Sequence, residues 1–168
     1  MTRDRDPAYV GDVASSGLRT GATEHEAESQ FLTELPMSRS GYIDNDSGDQ
    51  WTMIRWRGAV MSAIRGKRGQ KLLREMRDAL DAMPHKRLIS GVLKNKDGDV
   101  CALGAVGNLR EIDMTNLDPE EPEQVAAAFG VSDKLVREIA YQNDDWDDGE
   151  KRWKYMRKWV ERHITEPT

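Results

Sequence analysis

Cys101 is the only thiol in the chain, and with His85 or His163 as base it would have the residue types of a nucleophile–base pair. Its neighbours argue against that chemistry. Val100, Ala102, Leu103, Gly104 and Ala105 are small or apolar, a setting in which a thiol is inert packing. The three histidines, His25, His85 and His163, share no metal-ligand spacing with Cys101 or with one another. Asp144-Asp-Trp-Asp-Asp-Gly149 has the composition of a calcium loop. Trp146 occupies its third position, however, and no Glu stands at the twelfth, so an EF-hand fails. The run reads instead as the end of one helix and the cap of the next. No catalytic residue, metal or cofactor is expected.

Phosphate recognition is the chemistry the residues favour. The segment Trp51 to Arg77 holds eight cations: Arg55, Arg57, Arg65, Lys67, Arg68, Lys71, Arg74 and Arg77. Only Glu75 interrupts them, in a chain whose net charge is −5. A local positive surface on an acidic protein points to phosphate. At its centre, Arg65-Gly-Lys-Arg-Gly-Gln70 joins two helices. Glycines there let the backbone approach a phosphate, and the start of the second helix offers free N–H groups. The joint lacks the Lys-Ser/Thr ending of a P-loop, so nucleotide hydrolysis is not expected. The opposing reading is a face paired with the acidic tail and the acidic C-terminal half. Trp51 and Trp56 lie at helical spacing with other apolar residues and are assigned to the core; exposed, they would stack on bases.

The elements that must position these residues are mainly helical. Residues 1–36 hold three Arg and seven Asp or Glu among many Gly, Ser and Thr, and read as a largely disordered acidic tail. Within it, Glu24 to Leu35 has the spacing of a short helix. Met37 opens a fresh segment, and the tail reads as an upstream extension of a shorter protein. Residues 37–168 form one domain. The polar stretch 42–50 is a loop, with Ser47 or Asp49 to cap the first helix of the domain. Trp51 to Arg65 is that helix, with Met53, Trp56, Val60 and Ile64 on one stripe. Gly66 and Gly69 break or bend it. Gln70 to Met83 is a second helix, buried through Leu72, Leu73, Met76, Ala79, Leu80 and Met83, and stopped by Pro84. Lys67, Lys71 and Arg74 fall on its opposite face.

Lys86 to Leu93 and Asp99 to Ala102 read as strands of a small β-hairpin around the Asn95-Lys-Asp-Gly98 turn. A tightly packed helix comes after Cys101, with Gly104 and Ala105 admitting a neighbour closely. Arg110 to Pro122 is an acidic linker. Glu150 to Ile164 is a final amphipathic helix carrying Trp153, Met156, Val160 and Ile164. No stretch has 18 consecutive apolar residues and no apolar leader is visible, so neither a membrane span nor a secretory signal is expected and the cytoplasm is the default.

Residues 123–142 resemble a helix-turn-helix. Ala126 is small where two helices touch, Gly130 suits a positive-φ turn, and Ser132 caps the second helix. Val125, Phe129, Val131, Val136 and Ile139 lock the pair. The charges fit DNA poorly. Lys134 and Arg137 on the reading helix are offset by Asp133 and Glu138, and acidic flanks lie on both sides. A pair that serves only packing is the stronger reading.

SRSGY at 38–42, RWRGAVMSAIRGKRGQ at 55–70, LDAMPHKRLIS at 80–90, DVCALGAVG at 99–107 and Asn143-Asp144 resemble a family of small uncharacterised bacteriophage and prophage proteins. The resemblance runs from Met37 to about Ile164. It implies a phage-type accessory protein made in the cytoplasm of a bacterial host, with no assigned activity. Cys101-Ala-Leu-Gly-Ala105 with Asn143-Asp144 is also similar to a second group of small bacterial proteins. That likeness implies a contact between the Cys101 turn and the helix end at Asn143.

The expected fold is a single-domain helical bundle with a small β-hairpin and a helix-turn-helix-like pair. The expected function is non-enzymatic binding of nucleic acid, or of a complex that handles it. Arg55, Arg57, Arg65, Lys67, Arg68, Lys71 and Arg74 would touch phosphate, with Lys134 and Arg137 added if the helix-turn-helix works. The rival is a protein-interaction module acting on a host or phage factor, with acidic surfaces mimicking DNA. An enzyme built on Cys101 ranks third.

Overall fold

Apolar residues recur at i, i+3 and i+4 through the chain, and a computed structural model describing residues 50–165 turns these runs into six α-helices. They are α1 (Gln50–Arg65), α2 (Lys67–Ala82), α3 (Ala102–Leu109), α4 (Pro122–Phe129), α5 (Asp133–Asp144) and α6 (Gly149–His163). The expected tail at 1–36, the short helix at Glu24–Leu35 and the loop at 42–50 lie outside the described residues, except that Gln50 opens α1 instead of ending the loop. No helix among the described residues is long and apolar enough to cross a membrane.

Two helices organise the core. α2 packs on α1, α3 and α6, while α5 packs on α1, α3, α4 and α6. Leu72, Leu73, Met76 and Leu80 from α2 meet Leu103 and Val106 from α3 and Met156 and Val160 from α6, all at most 1% exposed. Each such side chain contributes roughly 1.5–3 kcal/mol when taken from water. Leu135 and Ile139 of α5 are equally buried.

The joint between α1 and α2 is tighter than the glycine spacing suggests. Gly66 alone separates the two helices, and Gly69 lies inside the first turn of α2. A Cβ at Gly69 would stand 2.0 Å from Ala63 O, so this glycine admits the end of α1 against α2 and breaks nothing. Gly104 does the same in α3, where a Cβ would stand 1.9 Å from Leu93 O.

The β-hairpin does not form: among the described residues there is no strand, only one antiparallel bridge between Lys94 and Val100. The backbone of the first expected strand spends its hydrogen bonds elsewhere. Leu88 N–H donates to Gly149 O (3.0 Å), Leu88 O accepts from Arg152 Nη1 (2.7 Å), and Ile89 O accepts from Asn143 Nδ2 (2.9 Å). Ile89 N–H to Val100 O, Cys101 N–H to Leu93 O and, next to the turn, Asn95 N–H to Asp99 O accompany the bridge across the gap. The turn itself forms as its residues require: Gly98 has φ +88°, and Asn95 Oδ1 accepts from the N–H groups of Asp97 and Asp99.

α1 departs from its expected burial. Val60 (6% exposed) and Ile64 (2%) enter the core, but Met53 is 44% exposed and Trp51 69%. Only the C-terminal half of α1 is buried, and Trp56 is half-buried at the boundary.

α4, the turn and α5 form a tight helix pair. Gly130 takes the left-handed conformation (φ 67°), Val131 N–H donates to Ala126 O, and Ser132 Oγ accepts from Lys134 N–H. The acid run after α5 ends that helix, and Asp148 caps α6 by accepting from Lys151 N–H at 2.8 Å. That bond holds the Asp148 carboxyl below its ordinary range.

Candidate phosphate-binding surface

The α1–α2 elbow gathers the cations. Arg65 ends α1, and Lys67 and Arg68 begin α2 after Gly66, which supplies no side-chain cap. The first-turn N–H groups of a helix have no partner within the helix, so this end carries partial positive charge in addition to the side chains. Arg65, Lys67, Arg68 and Lys71 are exposed.

Gln70 fixes the elbow from beneath. It is 5% exposed, and its amide is fully used. Nε2 donates to Ile64 O (2.9 Å) at the end of α1 and to His163 O (2.8 Å) at the end of α6. Oε1 accepts from Thr165 N–H (2.8 Å) and Thr165 Oγ1 (3.0 Å). One side chain thus ties together α1, α2 and the chain leaving α6.

A surface cavity of about 510 Å³ opens above this joint. Its floor is small: Ala59, Ser62 and Ala63 from α1, then Gly66 and Gly69. Its rim carries Lys67 and Arg68 on one side, Ser132 and Lys134 on the other. The packing of α1 on α5 therefore brings Lys134 opposite Lys67 and Arg68, more than sixty positions away in sequence. Arg55 lies on the same face of α1 as Ala59, Ser62 and Ala63, at i, i+4, i+7 and i+8.

The cations divide by their partners. Among the described residues, Arg57, Arg65, Lys67, Arg68 and Arg74 have no acidic group within ion-pair distance. Lys71 stands 3.9 Å from Glu75, a loose contact, and Arg77 is tied to Asp78 (2.9 Å). Glu75, the single acid of the segment, is drawn toward Arg110, whose Nε donates to it at 2.9 Å and whose Nη1 donates to Phe129 O at 2.7 Å. This half-buried pair fastens α2 to the ends of α3 and α4.

The helix-turn-helix cations are engaged. Lys134 Nζ reaches Asp133 at 2.8 Å, and Arg137 reaches Glu123 at 2.9 Å and Asp133 at 3.9 Å. Burial pushes the Asp133 carboxyl up, but the hydrogen bond and charge of Lys134, its backbone N–H and Arg137 outweigh that and hold it below its ordinary value. Glu123 is also held low, by its own backbone N–H and then by Arg137.

Cys101, Asn143 and Asp144 form a separate structural knot. Cys101 is 1% exposed and N-caps α3, its Sγ accepting from Gly104 N–H at 3.4 Å. Asn143, also 1% exposed, accepts from Ala102 N–H (3.0 Å) through Oδ1 and donates to Ile89 O and Asp144 Oδ1. The Cys101 turn and the end of α5 are in direct contact through this one amide. His163 Nδ1 is hydrogen-bonded to Trp159 O at the end of α6.

Sequence reasoning missed the roles of Gln70 and Arg110, and it read Ser132 as a cap without placing it at the cavity. Gln70 stands between Gly69 and the exposed Lys71, and nothing local in the sequence signals its burial or its partners. No family model, curated protein or solved structure matches the chain.

Proposed function

We propose that this chain is a non-enzymatic, phage-type accessory module, acting in the cytoplasm of a bacterial host, that holds the phosphate backbone of a nucleic acid on its α1–α2 elbow. One observation carries the reading. Five cations of α1 and α2 have no acidic partner among the described residues, while the cations of the α4–α5 pair are committed to Asp133 and Glu123. Two of the five, Lys67 and Arg68, line the small-floored cavity, and cations without an acidic partner beside it suit an anion with several oxygens. Engaged phosphates release counterions, so affinity falls with salt by about 0.7 log units per log unit of salt for each phosphate on a single strand.

Five engaged cations set an upper slope of about −3.5, which is about a 130-fold loss between 50 and 200 mM salt. Fluorescence anisotropy with labelled oligonucleotides measures it. A variant with Arg65, Lys67, Arg68 and Lys71 changed to Gln keeps two of the five, so its slope falls to about −1.4. Binding that ignores salt, or a variant with the wild-type slope, defeats this reading. A second reading is favoured by the exposed acids Glu111, Asp113, Asp118, Glu120, Glu121 and Glu123: a module that docks on a basic protein surface through this row. It predicts loss of partner capture on neutralising those acids, with the elbow variant unaffected.

A further inference from the structure

α1 carries a second feature that phosphate binding alone does not use. Its outward face runs through Trp51, Ile54, Gly58, Ser62 and Arg65, spaced i, i+3, i+7, i+11 and i+14. Trp51 is 69% exposed and Ile54 50%, and Gly58 and Arg65 are exposed as well. From Trp51 to Arg65 is roughly 21 Å at 1.5 Å per residue. No Asp or Glu occurs between Trp51 and Arg74.

Gly58 is the telling position. A glycine in mid-helix is unfavourable relative to alanine, and it persists where a neighbour must come close. Gly69 and Gly104 have such neighbours within the fold. Among the described residues Gly58 has none: a Cβ built there meets nothing within 4 Å. Its missing side chain leaves the helix surface bare at the middle of the exposed stripe, between an aromatic end and a cationic end.

We propose that this stripe is a track for single-stranded nucleic acid, with a base stacked on Trp51, the strand passing over Gly58, and its phosphates held by Arg65, Lys67 and Arg68. The inference rests on the phosphate-binding reading of the elbow and adds the class of partner. Charge complementarity selects a polyanion: the stripe ends in cations and contains no acid. The flat face of an exposed indole selects unpaired bases, which a duplex keeps inside its stack. The helix placed to read a duplex groove has Lys134 and Arg137 already tied to acids, and Glu120, Glu121 and Glu123 flank it.

The test is anisotropy at 50 mM salt with labelled dT20, rU20 and a 20-base-pair duplex, on wild type, Trp51→Ala and Gly58→Ala. The inference expects both single strands to bind about tenfold or more tighter than the duplex. It expects Trp51→Ala to lose about tenfold on them, the scale of one stacked base. Gly58→Ala separates this role from a structural one: it raises the thermal midpoint by about 2–4 °C, because alanine favours the helix, and yet weakens single-strand binding. Duplex binding as tight as single-strand binding overturns the inference and leaves the phosphate-binding reading standing. So does unchanged single-strand affinity in both variants, which points to a protein partner for the apolar end. Wild type binding none of the three probes overturns both.

Discussion

Replacing Gln70 by glutamate changes one atom pair and tests how the elbow is held. The wild-type amide donates twice from Nε2, to Ile64 O at 2.9 Å and His163 O at 2.8 Å, and accepts twice at Oε1 from Thr165. A carboxylate keeps the two acceptor contacts and loses both donors. It also sets a negative oxygen against two carbonyl oxygens. Each lost bond costs about 1 kcal/mol, and a buried acceptor left unpaired costs about 1–3 kcal/mol. The expected loss at pH 8 is roughly 3–5 kcal/mol, a large share of a typical domain's stability. Burial and the facing carbonyls raise the pKa of the introduced carboxyl above its unfolded value of about 4.3. A group whose folded pKa is raised contributes fully below the unfolded pKa, and that contribution is lost as pH rises through the folded pKa. The penalty of Gln70→Glu relative to wild type should therefore be smallest near pH 4.5 and grow toward pH 8. Urea unfolding of both proteins at the two pH values measures it, with Gln70→Leu as a pH-independent comparison. A penalty below about 1 kcal/mol, or one that does not change with pH, refutes the clamp.

Other consequences are equally direct. Gly104→Ala places a methyl group 1.9 Å from Leu93 O and should destabilise the fold by about 2–4 kcal/mol in the same unfolding assay. Asp133→Asn releases Lys134 onto the cavity rim, and one added charge near a bound phosphate should tighten oligonucleotide binding at 50 mM salt by about threefold. Acid should weaken the fold in a defined window. Arg157 holds the Asp81 carboxyl below its ordinary 3.8, and Asp148 and Asp133 are lowered too. Groups with depressed pKa stabilise the fold above the unfolded value and lose that contribution as pH falls through the folded one. The thermal midpoint should drop below about pH 4, and Asp81→Asn should show a shallower drop.

The helices were legible because their signals are local. The period of Leu72, Leu73, Met76 and Leu80, the stop at Pro84, the turn at Gly130 and the caps at Ser132 and Asp148 all act within a few residues. The errors came from long-range choices. Gly69 looks like a helix breaker until the carbonyl of Ala63 is placed against it, whereas the close approach expected at Gly104 is there and Leu93 O makes it. The β-hairpin had its turn, but Asn143, Arg152 and Gly149 claimed the backbone of its first strand. Trp51 had core spacing, yet α1 is buried only from its middle onward. The basic segment was plain in the sequence. Which of its cations stay unneutralised was not, because that depends on Arg110 drawing in Glu75 and on α5 carrying Lys134 to the opposite rim.

The central claim is that nucleic acid is held at the α1–α2 elbow, and amide chemical-shift mapping tests it most directly. Isotope-labelled protein would be titrated with dT8 at 50 mM salt. The account predicts the largest shifts at Gly58, Arg65, Gly66, Lys67, Arg68 and Gly69, reversing as salt is raised, with Asp118 to Glu123 unmoved. Shifts centred on the acidic row, or on Lys134 to Tyr141 with the elbow silent, would contradict it.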